Sequence, residues 1–100
     1  MDCRVIWSEL ALGDLRGLVR YIARDDRKTA ERFGNLMISK AEILAVHPRI
    51  GRIVPEFHVE TLREIIMSPY RIVYRIDDER KTVSVLRVWH GARGNLELQA

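Results

Sequence analysis

The stretch from Tyr70 to Arg93, YRIVYRIDDERKTVSVLRVWHGAR, limits the possible folds more than any other part of the chain. Tyr70, Ile72, Tyr74 and Ile76 alternate onto one face of an extended strand, with Arg71, Val73 and Arg75 on the other. On the return run Leu86 and Val88 share one face, and Val83, Val85, Arg87 and Trp89 the other. β-branched and aromatic residues dominate both runs, and Asp77-Asp78-Glu79 supplies the turn between them. A β-hairpin follows. Pairing Ile76 with Thr82 across a five-residue loop sets Tyr74 against Ser84, Ile72 against Leu86 and Tyr70 against Val88. That register gathers an apolar face, but it places Arg71 opposite Arg87, with Arg75 nearby. Like charges at such positions need an acid, a ligand or water between them. A slip of one residue would part the arginines and put Arg87 among the core-facing aromatics, so the first register is expected. The arginines then lie on a solvated face with their stems packed down.

One hundred residues are expected to form one domain with a single core. No linker, repeat or low-complexity segment divides them. No apolar run approaches the ~20 residues that span a membrane, and the N-terminus lacks the apolar core of a signal peptide. Cys3 cannot form an internal disulfide, being the single cysteine. It reads as a small strand residue in a reducing cytoplasm. The 17 basic and 14 acidic residues leave a modest net charge of +3, unevenly spread. Arg80, Lys81, Arg87 and Arg93 fall in a run from Arg80 to Asn95 that holds no acid, and arginine far outnumbers lysine. A guanidinium fork fits carboxylates and phosphates, so a basic end suits RNA or an acidic protein partner.

The rest of the chain supplies the layer that packs on the hairpin. Arg4 to Trp7 is a short strand, and Ser8 an N-cap with Glu9 in the first turn of a helix over residues 8–24. Its apolar stripe is Ala11, Leu15, Leu18, Val19 and Ile22. Gly13 and Gly17, four apart, point to a close backbone approach by a neighbour, with simple tolerance on an exposed face as the alternative. Asp25-Asp26 breaks the helix and caps a second, whose stripe of Ala30, Phe33, Met37, Ala41 and Leu44 ends before Pro48. Residues 48–61 read as a long loop, and Leu62 to Met67 as a strand that Ser68-Pro69 turns into the hairpin. Gly91 and Gly94 free the backbone after Trp89, and residues 95–98 suit a last helical turn or strand. The expected fold is α+β: a helical hairpin packed on a small, mostly antiparallel sheet, in the order β-α-α-β-β-β.

That order, with WSELALGDLRGLVRYI from Trp7 to Ile22, Pro48-Arg49-Ile50-Gly51-Arg52, Leu62-Arg63-Glu64, YRIVY from Tyr70 and the ending VLRVWHGAR, resembles the ParE/RelE superfamily of type II toxins. The HGAR ending looks more like the ParE branch. The resemblance implies the toxin half of a toxin–antitoxin pair of the plasmid-stabilisation type. It implies a cytoplasmic protein silenced by a cognate antitoxin, with DNA gyrase as the target and no nuclease site. The alternative is a ribosome-dependent mRNA endonuclease of the RelE type; a third reading is a non-toxic binding module of the same fold.

For RNA cleavage the resemblance offers Arg71, His90 and Arg93 as catalytic residues, with His90 as general acid and Arg87 beside them. Against it, Leu62, Arg63 and Glu64 replace the lysines that RelE-type enzymes carry on the preceding strand, and nothing aromatic follows Trp89. Glu64 beside Arg63 reads as a surface or antitoxin-facing pair. For target or antitoxin binding the expected residues are Arg63, Arg71, Arg75, Arg87, Trp89 and Arg93. His47 and His58 lack metal-ligand spacing, so neither a metal nor another cofactor is expected.

Overall fold

A computed structural model describes residues 2–94, 96 and 98. Strand β1 (Arg4–Trp7) leads into helix α1 (Glu9–Ala23) and helix α2 (Arg27–Glu42), which a short 3-10 turn extends to Ala45. Strands β2 (Arg52–Ile53), β3 (Leu62–Met67), β4 (Tyr70–Asp77) and β5 (Thr82–His90) follow, and a 3-10 turn spans Gly91–Arg93. The sheet order is β1-β5-β4-β3-β2, with β1 parallel to β5 and the other pairs antiparallel. The α+β architecture therefore stands as the sequence implies. The sheet also gains a two-residue strand, β2, inside the expected loop over 48–61. Of the element expected over 95–98, Asn95 and Glu97 lie outside the described residues.

Local chemistry sets the helix ends. The Ser8 hydroxyl accepts from the Ala11 N–H and donates to the Leu86 carbonyl, both at 3.0 Å, so the cap of α1 is also a tie to β5. One Asp26 carboxylate oxygen caps α2 by accepting from Lys28 and Thr29 N–H. These caps satisfy amide donors that a helix cannot. Ala11, Leu15, Met37 and Ala41 from the helices meet Ile72, Val85 and Val88 from the sheet in one buried cluster. Tyr74, Ile76, Val83 and Leu44 continue that side of the core. A second cluster on the far face joins Val54, Leu62, Val73, Trp89 and Leu96. The sheet is thus apolar on both sides: one lies under the helices, the other partly under the 54–60 loop and Leu96.

The hairpin register differs from expectation. Asp77 faces Thr82, Ile76 faces Val83 and Tyr74 faces Val85; past an irregularity at Val73/Tyr74, Val73 faces Arg87, Ile72 faces Val88, Arg71 faces Trp89 and Tyr70 faces His90. Leu86 is the surplus residue of a β-bulge. Arg71 and Arg87 are therefore not opposite one another, and Val83, Val85 and Val88 share the helix-covered face. The turn is already one residue shorter than expected, with four residues between Asp77 and Thr82, and the extra residue at Leu86 then breaks the uninterrupted pleat that a period-two reading assumes.

The glycines of α1 are also corrected. A Cβ built at Gly13 or Gly17 meets nothing within 4 Å, so no backbone crowds them. The glycine that does require its missing side chain is Gly51: a Cβ there would lie 2.5 Å from the Glu64 carbonyl oxygen and 2.7 Å from the Tyr74 hydroxyl. This approach lets the Tyr74 hydroxyl accept from the Gly51 N–H (3.0 Å) and donate to the Pro48 carbonyl (2.6 Å). Burial raises the Tyr74 phenol above its ordinary value, so it stays protonated as that donor.

Candidate functional site

Strand alternation puts Leu62, Glu64 and Ile66 of β3 on the same face as Arg71, Val73 and Arg75 of β4, and Arg87 and Trp89 of β5. Trp89 is the centre of this face, almost fully buried. The Arg93 guanidinium carbon lies 4.3 Å from its ring centroid and that of Arg87 lies 5.0 Å away, both within the range of cation–π attraction. The indole N–H donates to the Gly94 carbonyl at 3.3 Å, folding the chain end back over the ring. Arg71, Arg87 and Arg93 are thus gathered around one tryptophan, although they reach it from a strand, a bulge and a turn.

Each of the first two is held by acid. Arg71 donates Nε to Glu64 Oε1 at 2.5 Å, and its two terminal nitrogens to the two oxygens of Glu56 at 2.7 and 2.8 Å. Glu64 has no exposed side-chain surface; its other oxygen accepts from Arg52 Nε at 2.6 Å. The Glu56 carboxyl is held down to about 2, chiefly by its hydrogen bonds from Arg71. The same pair of bonds raises the Arg71 guanidinium further above its ordinary value, against the opposing cost of its burial. Glu56 Oε2 also accepts from the Leu96 N–H at 3.3 Å, so the network reaches the chain end. Arg87 donates Nε and a terminal nitrogen to Asp14 of α1 at 2.8 and 3.0 Å, and the Val88 N–H donates to the same carboxylate.

The expected Arg63–Glu64 pair does not form, because adjacent strand residues point to opposite faces. Arg63 instead donates to Glu60 and to the carbonyls of Arg49 and Gly51. Arg49 joins that group through Glu60 and Asp78, which raise its guanidinium above the ordinary value, Asp78 most. Arg75 projects from β4 opposite Ser84 and is exposed.

His90 is apart from Arg71. It faces Tyr70 on the helix-covered side, its ring 5.2 Å from the Tyr70 ring and edge-on. Its Nδ1 accepts from the Ala92 N–H at 2.9 Å. His90 and Arg93 do share a cleft of about 280 Å³ beside Gly13 and Gly17. Among the described residues no group of three or more His, Cys, Asp or Glu is placed to hold a metal ion.

Sequence reasoning overlooked Glu56, Asp14 and Arg52. Asp14 stands on the polar side of α1 and Glu56 within an aperiodic loop, and neither position has a sequence neighbour that marks its partner.

Comparison with known proteins places this geometry. The model for the ParE toxin of type II toxin–antitoxin systems, parDE, matches residues 5–94. Toxin RelE2 of Caulobacter vibrioides is 33% identical over 91 residues, which are 90% of this chain and 97% of that protein. Among solved structures, the toxin–antitoxin complex RelBE2 from Mycobacterium tuberculosis aligns at a TM-score of 0.68 with 27% identity, covering 90% of this chain and 99% of that one. The chromosomal ParDE system of P. aeruginosa gives a TM-score of 0.71 at 18% identity, covering 88% and 95%. A double mutant of E. coli toxin RelE in the free state gives 0.64 at 23%, covering 94% and 88%. The last two speak to the fold.

Proposed function

The chain belongs to the ParE toxin family of type II toxin–antitoxin systems, and from that membership we propose that it acts by binding DNA gyrase and is silenced by a cognate antitoxin. The binding surface in this reading is the Trp89 face, with Arg93 at its exposed rim and Arg75 further along β4. The observation that carries the reading is the state of Arg71. Cleavage by 2′-hydroxyl attack needs a cation free to meet the phosphorane, with an acid beside it. Arg71 instead gives three of its five N–H donors to Glu56 and Glu64, and His90 stands on the other face of the sheet. Such an arginine supports the shape of a docking face better than it supports phosphate chemistry.

The antitoxin reading is supported by the sheet edge. β2 covers β3 only at Arg63 and Glu64, leaving residues 65–67 without a strand neighbour on that side among the described residues. Ile43, Ile50, Ile53 and Ile66 are exposed around this edge. An amphipathic segment that orders on binding fits it, and two of the solved relatives are themselves toxin–antitoxin systems.

A second reading, the ribosome-dependent mRNA endonuclease, is favoured by the cleft that His90 and Arg93 share and by the RelE2 name of the 33% identical relative. The two separate in one pair of assays. Purified gyrase should lose supercoiling activity in the presence of the protein, Arg93→Ala should weaken that loss, and His90→Gln should leave it intact. Unaffected gyrase, together with mRNA cuts on translating ribosomes that His90→Gln abolishes, reverses the assignment. Harmless expression without an antitoxin supports the binding module instead.

A further inference from the structure

A half-enclosed bowl of about 590 Å³ lies where the α1–α2 turn meets the end of the sheet, on the helix-covered side and away from Trp89. Leu18 and Ile22 line it together with Tyr21, Tyr70 and His90. Asp25 and Asp26 are its acids, and among the described residues that line it there is no lysine or arginine.

We propose that this bowl receives the side chain of an arginine from a protein partner. Three features argue for that cation. Asp26 is committed to the cap of α2 and to the Thr29 hydroxyl, whereas Asp25 is exposed and makes no side-chain hydrogen bond among the described residues. The bowl opens at the C-terminal end of α1, where the helix dipole adds partial negative charge, while the positive start of α2 is already capped by Asp26. Three of the lining side chains carry aromatic rings, and a guanidinium is the cation that both stacks on rings and sheds its hydration readily. Tyr21 already accepts one: Arg24, outside the lining, sits with its guanidinium carbon 6.0 Å from that ring. The inference stands whichever target the toxin binds.

The test is a ¹H–¹⁵N titration of the full chain with the peptide Ac-Gly-Arg-Gly-NH2, with the Gln-centred peptide and guanosine 5′-monophosphate as comparisons. Saturable shifts should fall on the amides of residues 22–29, Tyr70 and His90, and the Gln peptide should leave them in place. Asp25→Asn and Tyr21→Ala, both at exposed positions, should each weaken the arginine peptide by about fivefold. Equal response to the Gln peptide, shifts centred on Glu56 and Glu60, indifference to Asp25→Asn, or tighter binding of the nucleotide in this bowl would each overturn the proposal.

Discussion

Glu64 has no exposed side-chain surface and lies between Arg71, which is 14% exposed, and Arg52, which is 59% exposed. Removing one partner of a buried pair costs ~3–5 kcal/mol, because the survivor keeps its desolvation penalty. Arg71→Met leaves Glu64 with Arg52, and Glu64→Leu leaves Arg71 with Glu56, so each single change belongs at the lower end, ~3 kcal/mol. In a domain of this size that lowers Tm by roughly 12–24 °C. Arg71→Met combined with Glu64→Leu should cost no more than ~4 kcal/mol, since two apolar side chains can join Val73 and Leu62 on that face. The coupling is then at least ~2 kcal/mol, as for residues in one network. Urea unfolding followed by tryptophan emission, with Trp89 beside the network, measures all three variants against the parent. Single costs below ~1 kcal/mol, or a double variant equal to their sum, would refute the claim that this carboxylate is held by its cations rather than by packing.

Acid should weaken the fold in a defined window. Glu56 falls from its ordinary 4.5 to about 2 in the folded state, so its contribution is complete above the unfolded value and is lost as pH drops from about 4.5 towards 2. Urea midpoints should fall across that window, and Arg71→Met should flatten the decline. Tyr74→Phe strands the Gly51 N–H and the Pro48 carbonyl, for a loss of ~1–3 kcal/mol in chemical unfolding. Gly51→Ala forces a methyl against the Glu64 backbone and the Tyr74 hydroxyl, for ~1–3 kcal/mol or more by the same measurement, with no compensation from Tyr74→Phe at the backbone contact.

Periodicity carried the helices, their caps and strands β1, β3, β4 and β5, because each is long enough or punctuated enough to declare its repeat. β2 escaped because two residues cannot show a period. The partners of Arg71 were half legible. Ser68-Pro69 joins β3 to β4 so closely that Met67 faces Tyr70, which fixes Glu64 against Val73 and sets Arg71 diagonal to it on one face. Reading Glu64 with its sequence neighbour Arg63 ignored that alternation. Glu56 was out of reach, since a loop without a repeat gives no direction to its side chains. His90 and Arg71 were drawn together by the family resemblance alone, since strand alternation already sets His90 on the face opposite Arg87 and Trp89.

Were the ladder to continue regularly from Tyr74 and Val85, Arg87 would slide beneath the helices opposite Ile72, and Trp89 would swing round to meet Tyr70. The kink at Leu86 therefore works as a phase shifter, deciding which chemical character each side of the molecule displays. Two toxins sharing every letter from Arg87 onward, but differing by that surplus backbone unit, would present opposite surfaces to the same target.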